Sequence, residues 1–212
     1  NSYNMLNIKK QLGYTIVEAL IVLAVIGTLF ISTSLLIQGR MQAYQYRESM
    51  NSARQMIQNI TNDTANGYFG GVDEGKSDDT ILGKSILFCS IAQASDCNND
   101  SSKIIVKTLI LNDIDNPIDT QVLTLPGGLK YIKSIKNSDL TTNSGSFGYS
   151  VTLTTGNRGP LGIELKDYGA TDILDRDGYK VCLEGQKKGS LVIGSNGGST
   201  AVGLNMVDND CN

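Results

Sequence analysis

The sequence predicts an α+β protein, with one long N-terminal α-helix packed on an antiparallel β-sheet globular domain. Three observations predict it. An apolar run from Ala19 to Ile37 continues without proline into a polar, periodic stretch that ends near Asn66. Beyond Gly71 the pattern changes to short apolar runs separated by turn residues. All four cysteines (Cys89, Cys97, Cys182 and Cys211) fall in that second part.

The apolar run is interrupted only by Gly27, Thr28 and Ser32-Thr33-Ser34. As a helix it is long enough to cross about 30 Å of hydrocarbon. Lys9 and Lys10 precede it, so the leader is expected to stay cytoplasmic and the remainder to face outward. No Ala-x-Ala site stands close behind Ile37, which counts against an ordinary cleaved signal peptide. A plain signal anchor fits the hydropathy but leaves Glu18 unexplained, because a carboxylate at the start of a membrane helix is costly without a partner.

From Gln38 to Asn66, Tyr46, Met50, Ala53, Ile57 and Ile60 recur in steps of four, three, four and three. That is one stripe of an amphipathic helix and reads as its core face. Asn66-Gly67 is the expected stop. Expected strands then run over Ser85 to Ile91, Lys103 to Leu111, Gln121 to Leu125, Leu129 to Ile135, Phe147 to Leu153, Leu161 to Leu165, Tyr179 to Glu184, Ser190 to Ile193 and Ala201 to Met206. Pro126-Gly127-Gly128 reads as a hairpin signal, and 137–146 as a surface loop. The cleanest alternation is Phe147, Tyr149, Val151 and Leu153 against Gly148, Ser150, Thr152 and Thr154.

The chain has 212 residues, enough for one domain and an extra element. Its formal net charge of -3 gives no reason to expect a nucleic-acid partner. There is no tryptophan, and aromatics are only 6%, so Ile, Val and Leu must build the core. There is also no histidine, which removes the commonest general base and zinc ligand, so an enzyme is not expected. None of the cysteines forms a Cys-x-x-Cys pair, and an even count behind an export segment favours disulfides. Three pairings are open. The favoured one joins Cys89 to Cys97 around a polar loop, and Cys182 to Cys211, tying the C-terminus back to a strand. Four reduced, buried thiols are the competing reading.

The segment Gly13-Tyr14-Thr15-Ile16-Val17-Glu18-Ala19-Leu20-Ile21-Val22-Leu23-Ala24-Val25-Ile26-Gly27, preceded by Met5-Leu-Asn-Ile-Lys9-Lys10-Gln-Leu, resembles the prepilin cleavage and methylation motif. That motif belongs to type IV pilins and to the pseudopilins of secretion and DNA-uptake machines. It comprises a basic leader ending in Gly, an aromatic residue after the cut, and a Glu four residues beyond it. Met5 is a candidate start for such a leader. The resemblance implies the type IV pilin fold, with residues 1–13 as leader, 14–38 as the transmembrane and filament-core half of the helix, 39–66 as its amphipathic half, and 67–212 as a β-rich head. It implies a prepilin peptidase cutting between Gly13 and Tyr14, methylation of the new Tyr14 amine, and a helical homo-oligomeric filament on the bacterial surface. The partners it implies are the peptidase, the assembly machinery and, before assembly, the inner membrane. Glu18 would set the stagger by meeting the Tyr14 ammonium of a neighbouring or the same helix, and Gly27 would let helices approach closely. The helix-breaking proline common in such helices is replaced here by Leu35. A minor pilin or pseudopilin, or an anchored binding domain that never polymerises, are the alternatives.

Two further patterns stand in the sequence. Asp175, Asp177 and Glu184 fall at ligating positions of a calcium loop around Gly178, but Ile173 occupies its first position and does not ligate. The simpler reading is an acidic turn before a strand. Lys130, Lys133, Lys136 and Lys187-Lys188 form a loose basic group, read as a solvated strand face.

Overall fold

The computed structural model describes residues 15–69, 81–90, 97–110, 117–156, 159–167, 177–194, 200–206 and 208–212. One helix, α1, spans Ile16–Ala65. The chain divides into two compact units, Asn1–Gln42 and Ala43–Asn212. In the first, every side chain described from Thr15 to Thr33 is exposed.

Among the described residues, the second unit holds the C-terminal part of α1 and ten strands in two antiparallel sheets. β1 is Ile81–Phe88, β2 Lys103–Ile110, β3 Asp119–Thr124, β4 Lys130–Lys136 and β5 Thr142–Asn143. β6 is Phe147–Gly156, β7 Gly159–Asp167, β8 Tyr179–Glu184, β9 Lys188–Ile193 and β10 Gly203–Asn205. Sheet one runs β3-β2-β1-β6-β7 and sheet two β10-β9-β8-β4-β5. The expected α+β layout, a long helix with antiparallel β-structure, is present, its described strands divided between two sheets.

The predicted helical stripe is the core face. Met50, Ala53 and Ile57 are fully buried, and Tyr46 and Ile60 nearly so. They join one cluster with Ile86, Ile104 and Val151 of sheet one and Val181, Leu183 and Leu191 of sheet two. Aromatic contacts link the sheets: Phe88 to Tyr131 at 5.9 Å and Phe147 to Tyr179 at 5.0 Å between ring centroids. Strand alternation places Ile86 and Phe88 in this core and Leu87 on the other face, where it clusters with Ile105.

α1 stops where the sequence says it should. Gly67 takes a left-handed φ of 72°, and the Tyr68 amide donates to the Asp63 carbonyl at 2.7 Å. The C-terminal chain is fastened to the helix by a side-chain amide. Gln58 Oε1 accepts from the Val202 amide at 2.8 Å, and Gln58 Nε2 donates to the Thr200 carbonyl at 3.5 Å.

Three local expectations need correction. Pro126–Gly128 does not close a hairpin, because β3 and β4 lie in different sheets. Leu125 and Leu129 flank that 3-10 turn and are both 1% exposed, so they pin the chain to the core as it crosses between sheets. The expected loop at 137–146 contains β5, which pairs with Ser134 and Ile135 of β4. A two-residue strand has no alternation to read. β1 starts at Ile81, before Gly83, where the register to β2 shifts. That glycine and Lys84 break the apolar run and hide the strand's beginning.

Candidate functional site

α1 opens with a stretch, Ile16–Ser34, whose mean hydropathy is 2.3 and whose length and composition suit a membrane span. None of it is buried within the chain, which separates it from the core helix of a soluble domain. Ile16 is 80% exposed and Phe30 72%. Such a face is stable only in lipid or against other apolar surfaces.

The polar groups within this stretch are satisfied inside the helix. Thr28 Oγ1 donates to the Val25 carbonyl and Ser32 Oγ to the Thr28 carbonyl, both at 2.8 Å. Thr33 Oγ1 reaches the Leu29 and Phe30 carbonyls at 3.0 Å, and Ser34 Oγ the Phe30 carbonyl at 2.8 Å. These bonds let hydroxyls enter an apolar environment without a stranded donor.

Glu18 has a local partner, Thr15, that its charge alone does not announce. The Thr15 amide and hydroxyl both donate to Glu18 Oε2 at 3.0 Å, and the Glu18 amide donates back to Thr15 Oγ1 at 3.2 Å. This is a capping box, Thr at the N-cap and Glu three residues on, and Thr15-x-x-Glu18 is its sequence signature. It satisfies free amides of the first turn but leaves the carboxylate's charge without a cation among the described residues. Gly13 and Tyr14 lie outside the described residues. At Gly27 a built Cβ meets nothing within 4 Å, so any cost of a larger residue there arises outside the chain.

Both favoured disulfides are present, Cys89–Cys97 and Cys182–Cys211. Each lies in a small satellite cluster, the first with Leu87 and Ile105, the second with Ile135. Beside the second, Asp208 is 4% exposed and accepts from Ser190 Oγ at 2.6 Å and from the Asp210 amide at 3.0 Å. Lys180 pairs with Asp208 at 3.7 Å and also with Asp210.

The calcium arrangement is not assembled by the described residues. Asp175 lies outside them. Asp177 and Glu184 are both exposed; Asp177 precedes β8 and Glu184 ends it, a strand roughly 16 Å long. Glu184 instead stands in register between Lys130 of β4 and Lys188 of β9. Among the described residues no group of three His, Cys, Asp or Glu side chains is placed to hold a metal. Comparison with protein-family models, curated proteins and solved structures finds no match.

Proposed function

We propose that this chain is a structural subunit of a type IV pilus or pilus-like filament on the bacterial surface. In this reading a prepilin peptidase removes the leader after Gly13 and the new Tyr14 amine is methylated. The apolar part of α1 then leaves the inner membrane and bundles with the same segment of other copies. The disulfide-stapled β-domain is the exported head.

The observation that carries the reading is the exposed apolar stretch with one carboxylate near its start. No Lys or Arg lies between Tyr14 and Gly39 to neutralise Glu18 in a dry bundle. The remaining cation of suitable position is an α-amine at Tyr14, which only the cut creates. The match of Gly13, Tyr14 and Glu18 to the prepilin motif supports the same conclusion.

The test is Glu18→Gln, which keeps the capping geometry and removes the charge. Subunit level and membrane insertion should stay unchanged. Sheared filament yield should fall about a hundredfold or more, because leaving one partner of a buried ion pair alone costs about 3–5 kcal/mol. Unchanged yield would reject the charge-pairing role. Absence of any filament from the native protein would favour a membrane-anchored exported domain.

A further inference from the structure

Each sheet has two edges, and they differ in how they are protected. In sheet two the edges are β10 with three residues and β5 with two, too short to template another strand. In sheet one the β7 edge carries Pro160, Glu164, Lys166 and Asp167 in its sequence, and its register to β6 shifts at Thr154/Thr155. Proline, charge and irregular register are the usual defences of an edge.

β3 has none of these. Its six residues, Asp-Thr-Gln-Val-Leu-Thr, pair with β2 in unbroken register from Lys103↔Thr124 to Thr108↔Asp119. It contains no proline and no lysine, and its single charge, Asp119, sits at its first position. Thr120, Gln121, Val122 and Thr124 are exposed, and Val122 is 56% exposed. Leu123 packs against the main core, so alternation puts Val122 on the other face, opposite Ile105 in the register. Among the described residues no strand pairs with the outer side of β3, so its backbone groups there are offered beside an exposed valine.

We propose that β3 is a self-pairing edge at which two copies of this chain join their first sheets antiparallel, β3 against β3. The occupant follows from the charges. With Val122 opposite Val122, each Thr120 faces the other copy's Thr124, each Asp119 lies one residue further out, and the two carboxylates stand roughly 20 Å apart. No like charges meet. The charged, proline-bearing β7 edge offers no such match.

One such contact buries on the order of a few hundred Å², well below the ~1,000 Å² that a stable interface needs. It is therefore weak alone and gains strength by repetition. A two-fold contact of this kind cannot propagate one polar filament. Resting on the filament reading, it instead joins neighbouring filaments side by side.

All four cysteines are bridged, so Val122→Cys supplies a single free thiol. The full-length chain in detergent, treated with a short bismaleimide, should form dimer several-fold faster through this thiol than through Leu140→Cys. Leu140 is equally open at 63% exposure but lies outside β3. Adding Thr120→Lys should return the rate to that of the control. Equal rates for the two thiols, or no effect of Thr120→Lys, would overturn the pairing. This assay judges the pairing whether or not filaments form. On filaments, Thr120→Lys should leave their number unchanged and separate their bundles. Bundles that persist would overturn the lateral role.

Discussion

Thr15 and Glu18 close the start of α1 on each other through three hydrogen bonds of 3.0 to 3.2 Å. The residue whose charge the filament reading needs is therefore also the residue that caps the helix. The two roles separate by substitution. Thr15→Ala should cost about 1 kcal/mol of local helix stability. In the detergent-solubilised chain this reads as about fivefold faster amide exchange over Ala19 to Val22, the first amides bonded to helix carbonyls. Glu18→Gln should leave that exchange unchanged, since Gln serves equally at this position. If Glu18→Gln speeds exchange as much as Thr15→Ala does, the charge itself holds the turn.

The two disulfides should not contribute equally. Cys182–Cys211 spans 29 residues and Cys89–Cys97 only 8. By chain entropy the first stabilises by about 3–4 kcal/mol and the second by about 2–3. Paired Cys→Ser replacement at 182 and 211 should lower Tm more than at 89 and 97. The reverse order would show that local packing, not loop length, sets their value.

The helix, its core stripe and most strands are legible in the sequence because each rests on local periodicity. Tyr46, Met50, Ala53, Ile57 and Ile60 report a buried face without reference to anything distant. The two-sheet topology is not legible this way. Alternation says that Tyr149 and Val151 face a core, but not that β6 lies between β1 and β7. Thr15-x-x-Glu18 carries the capping-box signature, but a carboxylate at the head of an apolar helix is legible first as a charge. Lys180, Asp208 and Asp210 meet only after the chain folds, so no spacing announces them.

That last cluster sets a pH dependence. Burial alone would raise the Asp208 carboxyl, but Ser190, the Asp210 amide and Lys180 together hold it below the ordinary carboxylate range. The Asp210 carboxylate, with burial opposing and Asp208 assisting, raises Lys180. A depressed carboxyl contributes stability above its unfolded pKa of about 3.9, and that stability is lost as pH falls through the folded value. A raised lysine contributes below about 10.4 and loses it as pH rises through its folded value. This cluster's contribution should be flat from about pH 5 to 9. Asp208→Asn should lower Tm at neutral pH and give a shallower acid limb. An acid limb as steep as wild type would place the responsible carboxyl elsewhere.

Gly83 sits where β1 meets β6 too closely for a side chain. A Cβ there would lie 2.0 Å from the Val151 carbonyl oxygen, which is backbone and cannot rotate away. Gly83→Ala should destabilise the head by about 1–3 kcal/mol, the usual range for overpacking. A Tm within error of wild type would mean that the β1–β6 pairing relaxes locally at no cost.

The central claim is processing into a filament, and the intact mass of the subunit recovered from sheared surface filaments tests it most directly. The account predicts a chain that begins at Tyr14, carries one added methyl group, and lacks the hydrogens given up by both disulfides. A chain that still carries Lys9, Lys10 and Gly13, or the absence of this protein from the sheared fraction, would contradict it.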